Sequence, residues 1–359
     1  MSEEQELVRD AMREFAAEAI RPIARECDES SSIPDDFLET AWSLGLTSTQ
    51  IPEEYGGAGE ARSMVTGAIL LEELAFGDAS LALAALAPSL FANAILDHGT
   101  PAQRQAYLPL FCGESFATGS LALCEPGALA DASRPRTLAE PKGDRFILSG
   151  RKTLVVFGDR ASHFLVTAQL GDDLAAFIVP RDAKGLGIGE PEKQMGLRAL
   201  TTTSLELERV EVAADALLGG AEGADVQQIL NASRAGLAAA MLGVSRAVLE
   251  YCVPYTKDRV AFDEPISKKQ AIAFRLADMH IEQHALRMLV WQAASLLEHG
   301  EDATKAAWQA RSYAAEKSMW IADNGVQVLG GHGFIREHPV EMWFRNARTL
   351  GVLDGMVSL

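Results

Sequence analysis

Residues 145–156 read Arg145-Phe-Ile-Leu-Ser-Gly-Arg-Lys-Thr-Leu-Val-Val156, and they mark a change of texture in the chain. Short apolar runs at 145–148 and 153–156 are followed by others at 164–168, 175–179 and 204–212, each bounded by Gly, Asp or Pro. Runs of that length, so bounded, are strand signals. Together they predict a small antiparallel barrel or sandwich that begins near Phe116.

On both sides of this segment the periodicity is helical. Leu7, Val8, Ala11, Met12, Phe15, Ala19 and Ile20 recur every three or four residues and make one apolar face. Ser32-Ile-Pro-Asp35 reads as a helix start, with Ser32 as the cap and an early proline. Residues 52–59 (PEEYGGAG) form a turn-rich loop, and helical patterning resumes over 63–110. Within it, residues 79–96 carry no charge; Pro88, Ser89, Asn93 and many alanines point to a buried helix pair rather than a membrane span. Segments 226–255, 268–299 and 302–329 are long and apolar-striped, and with a shorter helix after Pro339 they predict an antiparallel bundle. The expected fold is mostly α with a central β domain: a helical domain at 1–115, a β domain at 116–223 and a helical bundle at 224–359.

The 359 residues, 48% of them hydrophobic, are enough for a large core. Fifty acidic against 32 basic residues give a net charge of −18, a surface that repels nucleic acid and anionic membranes. Cys27, Cys112, Cys124 and Cys252 are scattered without a CxxC pair, so neither a zinc site nor a disulfide framework is expected, and a reducing cytoplasm fits. The stretch MSEEQELVRDAMREF lacks the pattern of a secretory signal. No GxGxxG follows a strand, no GxSxG occurs, and Gly150-Arg-Lys-Thr153 matches only the end of a P-loop. His280 and His284 flank Glu282 one helical turn apart; they read as polar-face histidines, since the glutamate is not where HExxH places it.

Seven stretches, in order, resemble the acyl-CoA dehydrogenase family: Pro52-Glu-Glu-Tyr-Gly-Gly57, Leu123-Cys-Glu-Pro126, Gly150-Arg-Lys152, Met195-Gly-Leu-Arg198, Arg259-Val-Ala-Phe262 with Gln270, Leu276-Ala-Asp-Met279, and Gln327-Val-Leu-Gly-Gly-His-Gly-Phe334. The resemblance implies a helical, a β and a four-helix-bundle domain, a tetramer, and FAD held between the last two domains. It implies that Arg259 pairs with the FAD pyrophosphate across a subunit interface, a guanidinium task, with Phe262, Gln270 and Gln327 nearby. Gly330 and Gly331 would let the backbone approach a bulky ligand. It further implies that Leu121, Leu123, Cys124, Val155 and Val156 offer backbone groups to the flavin ring. Arg234, Leu353 and Gly355 fall at the acyl-CoA thioester end, and Asp354 falls where the family places its catalytic glutamate.

The chain departs from the family pattern around that site. Cys124 replaces a threonine, Leu129-Ala130-Asp131 replaces Gly-Ser-Asp, and Leu154-Val155-Val156 replaces Trp-Ile-Thr or Trp-Ile-Ser. Ala261 replaces a threonine, Asp263 a glycine, and Ser233 stands at the alternative base position. An aspartate falls short of a glutamate by one methylene, roughly 1.5 Å, and a misplacement of ~1 Å can cost on the order of 100-fold. The resemblance implies an FAD enzyme that oxidises acyl-CoA to 2,3-enoyl-CoA and passes electrons to electron-transfer flavoprotein, as a homo-tetramer or a hetero-tetramer with a related subunit. Two alternatives share the scaffold: a non-catalytic partner subunit, and a variant flavin reaction on a non-CoA substrate.

Overall fold

Ser2 opens the first helix, α1 (Glu3–Phe15), by accepting the Gln5 N–H at 3.2 Å, while the Gln5 side chain accepts the Ser2 N–H at 3.0 Å. The computed structural model describes residues 1–127 and 130–359. After a π-helical turn come α2 (Arg21–Ser30) and α3 (Asp35–Ser43). The third helix starts where expected, but Pro34 is its N-cap and Ser32 bonds Ser30 instead. Ser32 lies two residues before the cap position, out of reach of the first free N–H groups. Helix α4 (Met64–Gly77) is capped by Ser63. Asp78 ends α4 and caps α5 (Ala79–Ala85) through the Leu81 N–H. Helix α6 (Ala87–His98) follows α5 at a 44° bend, and the uncharged stretch 79–95 of this pair is buried. Helix α7 (Pro101–Tyr107) closes the N-terminal part.

The middle part holds β1 (Ser120–Ala122), β2 (Leu138–Lys142), β3 (Arg145–Val156), β4 (His163–Leu170), β5 (Asp173–Pro180), β6 (Leu186–Ile188) and β7 (Thr202–Ala213). They form one seven-stranded sheet in the order β1-β4-β2-β3-β7-β6, with β5 paired to β4. The sheet is mixed, not antiparallel as expected, because β4 lies parallel to both β1 and β2. Parallel pairing requires a long crossover, and the strands between β1 and β4 in sequence supply it. The two runs at 145–148 and 153–156 are one strand with register shifts around Gly150 and Lys152. Strands β1 and β6 have three residues each, and β2 buries only Ala139, so none carries a period-2 signal.

The C-terminal part is a bundle of α8 (Val226–Asp258), α9 (Gln270–Glu298), α10 (Thr304–Leu329) and α11 (Val340–Leu350), with a two-stranded ribbon of β8 (Val260–Ala261) and β9 (Glu264–Pro265) between α8 and α9. Helix α8 is long and apolar enough to cross a membrane, but 83% of that stretch is buried inside the fold. It packs on α4, α9 and α10. Gly243 permits the closest approach, since a Cβ there would sit 2.4 Å from the Glu72 carbonyl oxygen. His280 and His284 are exposed with rings 4.3 Å apart, and among the described residues no cluster of three or more His, Cys, Asp or Glu is placed to hold a metal.

One ionic network ties these helices together. Arg246 on α8 donates to Glu72 at 2.8 Å and to Glu73 at 2.7 and 2.5 Å, both on α4. Arg287 on α9 reaches Glu72 at 2.5 Å, and Arg13 on α1 reaches Glu73 at 3.2 Å. Burial pushes the Glu73 carboxyl up, but Arg246 and Arg13 outweigh it and hold it below its ordinary value. The Glu73 contribution is therefore present above the ordinary carboxylate range and lost as pH falls through the depressed native value. Arg246→Ala leaves two buried carboxylates short of a partner, and a loss of about 3–5 kcal/mol in urea unfolding at neutral pH is expected. That loss should shrink as the pH is lowered into the acid range.

Candidate active site

The loop after α11 is set by polar contacts between distant segments. Asn346 on α11 accepts the Leu197 N–H at 2.8 Å and donates to Asp78 at 3.2 Å, and Thr349 accepts the Gly196 N–H at 2.9 Å. A Cβ at Gly196 would lie 2.1 Å from the Arg345 carbonyl oxygen, so the Met195-Gly-Leu-Arg198 turn docks flush on the helix. Arg345 in turn pairs with Asp28 at 2.6 Å and Glu341 at 3.0 Å.

The loop then presents Asp354. Arg234 on α8 lies 3.7 Å from Asp354 Oδ2, and Arg311 on α10 lies 3.7 Å from Oδ1. Arg311 also donates to the carbonyls of Leu353 at 2.7 Å and Gly351 at 3.1 Å. The Cys124 thiol donates to the Asp354 carbonyl at 2.9 Å, and Ser233 accepts the Gly355 N–H at 3.0 Å. Gly355 has φ +73°, and a Cβ there would press on Leu123 at 2.9 Å. Asp354 Oδ1 is sealed from water and has no hydrogen-bond partner among the described residues. Burial raises the Asp354 pKa above its ordinary value although both arginines pull it down. Burial likewise pushes the Cys124 thiol to about 11, so it remains a protonated donor.

The structure thus gathers Asp354, Leu353, Gly355, Arg234, Leu123 and Cys124. Leu121 lies in β1 beside the end of β3, where the Ser120 hydroxyl bonds the Val156 carbonyl; Val155 and Val156 are fully buried there. Leu154 has φ +58°, and its N–H donates to Glu192 at 2.9 Å. Lys152 is fully buried and pairs with Glu125 at 2.9 Å, which accounts for two of the quoted motifs and excludes a P-loop role. Leu129 lies outside the described residues, while Asp131 accepts from Ser133. Arg311 and the hydrogen bond of Ser233 were not read from the sequence. The available signal for Arg311 was a charge beside the buried stripe of Ala307, Ala310 and Ala314.

A second group forms apart from the first. A cavity of about 560 Å³ is lined by Arg259, Phe262, Gln327, Gly330, Gly331 and Lys269, among others. Gln270, the first residue of α9, is not in its lining. Gln270 is exposed, and its neighbour Lys269 lines the cavity instead. Arg259 is exposed and makes no ion pair among the described residues. Phe262 is 89% exposed with φ +54°, and Asp263 has φ +64° at the position where a glycine would be unstrained. A Cβ on Gly330 or Gly331 would meet nothing within 4 Å. An open, glycine-floored cavity with a free guanidinium and an exposed aromatic ring fits a large phosphorylated cofactor.

Replacing Arg311 with Met removes the donors of two loop carbonyls and one of the two cations beside Asp354. The expected result is a loss of about 1–3 kcal/mol in stability and a further rise in the Asp354 titration midpoint, read by carboxyl infrared or NMR titration.

Sequence models of the acyl-CoA dehydrogenase N-terminal, middle and C-terminal domains match residues 2–115, 120–210 and 221–357. A 3-(aryl)acrylate reductase of Clostridium sporogenes is 34% identical over 99% of this chain and 95% of its own length. The mitochondrial short-chain specific acyl-CoA dehydrogenase of Bos taurus is 34% identical over 99% of this chain and 87% of its own length. The butyryl-CoA dehydrogenase structure from Megasphaera elsdenii superposes with a TM-score of 0.88 at 31% identity, covering 100% of this chain and 95% of the other. With this coverage and the helix–sheet–helix order described above, the chain belongs to the acyl-CoA dehydrogenase family, FAD-dependent oxidoreductases that act on acyl-CoA.

Proposed function

We propose that the chain oxidises an acyl-CoA thioester to the 2,3-enoyl-CoA, with Asp354 taking the α-proton, and passes the electrons to an electron-transfer flavoprotein. The carrying observation is the state of Asp354: its Oδ1 has no hydrogen-bond partner among the described residues, and its pKa is raised by burial while two guanidiniums flank it. A general base gains from a pKa lifted toward the working pH. Arg234 and Arg311 oppose that rise, and the Cys124 and Ser233 bonds fix the loop between the sheet and α8. When bound, FAD supplies the acceptor for the hydride that leaves the β-carbon.

In this reading the backbone groups of Leu121, Leu123, Cys124, Val155 and Val156 bed the flavin ring, since the usual hydroxyls are absent. Arg259, Phe262, Gln327, Gly330 and Gly331, with Gln270 at the rim, take the pyrophosphate end of the cofactor of a neighbouring subunit in a tetramer. Val260 (57% exposed) and Phe262 (89% exposed) lie together at the β8 ribbon, an exposed apolar pair that supports that assembly. The four free thiols support a reducing, cytoplasmic setting. A second reading, a partner subunit in a hetero-tetramer, is favoured by Val156 having no side-chain donor and by Glu192 occupying the Leu154 N–H.

Asp354→Asn should abolish anaerobic bleaching of the flavin by an acyl-CoA while the flavin stays bound. Asp354→Glu, with about 1.5 Å more reach, should raise the rate. In the parent protein the bleaching rate should fall as pH drops through a midpoint above the ordinary aspartate value of 3.8. Unaltered bleaching by the asparagine variant removes Asp354 as the base and supports the partner-subunit reading.

Arg259→Ala should lower flavin occupancy and loosen the assembly in sedimentation, by about 1.5–3 kcal/mol for a charge-assisted phosphate contact. Unchanged flavin content and sedimentation would show that Arg259 does not touch the cofactor.

A further inference from the structure

A stack of four rings lies behind the Arg259 cavity. Tyr251 and Tyr255 stand one turn apart on α8, and His332 and His338 come from the segment between α10 and α11. The Tyr255 hydroxyl lies 2.9 Å from His332 Nδ1, and the Tyr251 hydroxyl lies 2.7 Å from His338 Nδ1. The two imidazoles are parallel to within 13°, with centroids 5.3 Å apart. Tyr255 makes edge contacts with both, and Tyr251 backs onto the buried Trp343 at 5.8 Å. All four rings of the stack are half-buried. Tyr255 and His332 are in the wall of the 560 Å³ cavity, and His338 and Tyr251 are not.

Every hydrogen bond in this stack survives a change of charge. A neutral imidazole accepts at Nδ1 from a tyrosine hydroxyl, and an imidazolium donates from Nδ1 to the same oxygen. Burial raises the Tyr251 pKa above its ordinary value, so that hydroxyl keeps its proton in either state. Two parallel imidazoles this close carry one proton more readily than two, because like charges repel. The stack is therefore fitted to hold or release a single proton in the pH range that imidazoles cover.

The cavity in front of the stack favours anions. Its wall carries Arg259, Lys269 and His332 and, among the described residues, no carboxylate. Lys269 is shared with Glu264 at 2.6 Å. Charges on the elements packed around the stack are already matched. Arg25 on α2 donates to the His338 carbonyl at 3.1 Å and pairs with Glu341, which also holds Arg345 at 3.0 Å. Arg336, in the same segment as the histidines, pairs with Glu29 at 3.1 Å. A proton taken up by the stack thus adds one positive charge beside the cavity.

We propose that the Tyr251–His338–His332–Tyr255 stack is a proton switch for this cavity: it charges when a phosphate group occupies the cavity, so that the phosphorylated cofactor is held more tightly at lower pH. The inference rests on the reading that Arg259 and its neighbours hold the pyrophosphate end of FAD, and it adds the regulation of that site. An imidazolium strengthens the binding of an anion where it is populated, and the gain is lost as pH rises through the imidazole range.

The test follows flavin retention by the FAD-loaded protein, by ultrafiltration after dilution at about pH 6 and about pH 8 at constant ionic strength. One linked proton can change the affinity by at most about tenfold per pH unit. Retention at the lower pH should be at least ~5-fold tighter. His332→Asn places an amide oxygen where Nδ1 stood, so Tyr255 keeps a partner while the proton site is gone. That variant should bring the ratio between the two pH values to within ~2-fold. His332→Gln serves if thermal unfolding shows that the asparagine variant does not fold. A flat profile in the parent protein, or an unchanged ratio in a folded variant, would overturn the switch. If flavin is still lost from Arg259→Ala in that case, the cofactor reading stands without it. Flavin kept by Arg259→Ala at both pH values overturns the cofactor reading, and the switch with it.

Discussion

The Arg246 guanidinium, held between Glu72 and Glu73, is the interaction on which the rest of the molecule leans. Isolated, any of these charges would be costly inside a protein. Together, with Arg287 and Arg13 adding further donors, they lock α1, α4, α8 and α9 at one spacing. That spacing defines the α4–α8 seam. Arg234 and Ser233 project from α8 toward Asp354, and Gly67 and Gly236 receive the residues that follow it. A seam even slightly wider would leave the Asp354 loop without its bed.

The Asp354 loop also shows how a site is held when the expected side chains are missing. Where the family pattern has a hydroxyl, Cys124 offers a thiol, and it is spent on the Asp354 carbonyl. Where some relatives of the family pattern place a base, Ser233 accepts a backbone N–H from the same loop. Neither residue does acid–base work. Both fix the position of a carboxylate that has a shorter stem. Desolvation raises the pKa of that carboxylate, and two cations at 3.7 Å restrain the rise, so its charge is set by geometry rather than by residue type.

The two halves of the candidate site lie apart within one chain. The Asp354 group sits between the sheet and the bundle. The Arg259 group opens outward, with an exposed ring and a guanidinium that makes no ion pair among the described residues, around a cavity of about 560 Å³. In the proposed assembly, a cofactor long enough to need both ends held would give such a division a physical reason.

Much of this was legible in the sequence. The 3.6-residue periodicity of the flanks and the strand-length runs between them determined the helix–sheet–helix order, because burial of one face imposes that period locally. The motifs likewise marked Arg234, Asp354 and the Arg259 cavity by position. Other features depend on partners far away in the chain, which no local pattern records. The parallel pairing of β4 with β1 and β2 is one. Arg311 on the Leu353 carbonyl, the Cys124 thiol on the Asp354 carbonyl, and the burial of residues 356–359 between α4 and α8 are others. An apolar segment such as Met356-Val-Ser-Leu359 reads the same whether it lies exposed or fills a core. Only the gap left by Gly67 and Gly236 on two facing helices decides that it is buried, since that gap exists only once the helices have packed.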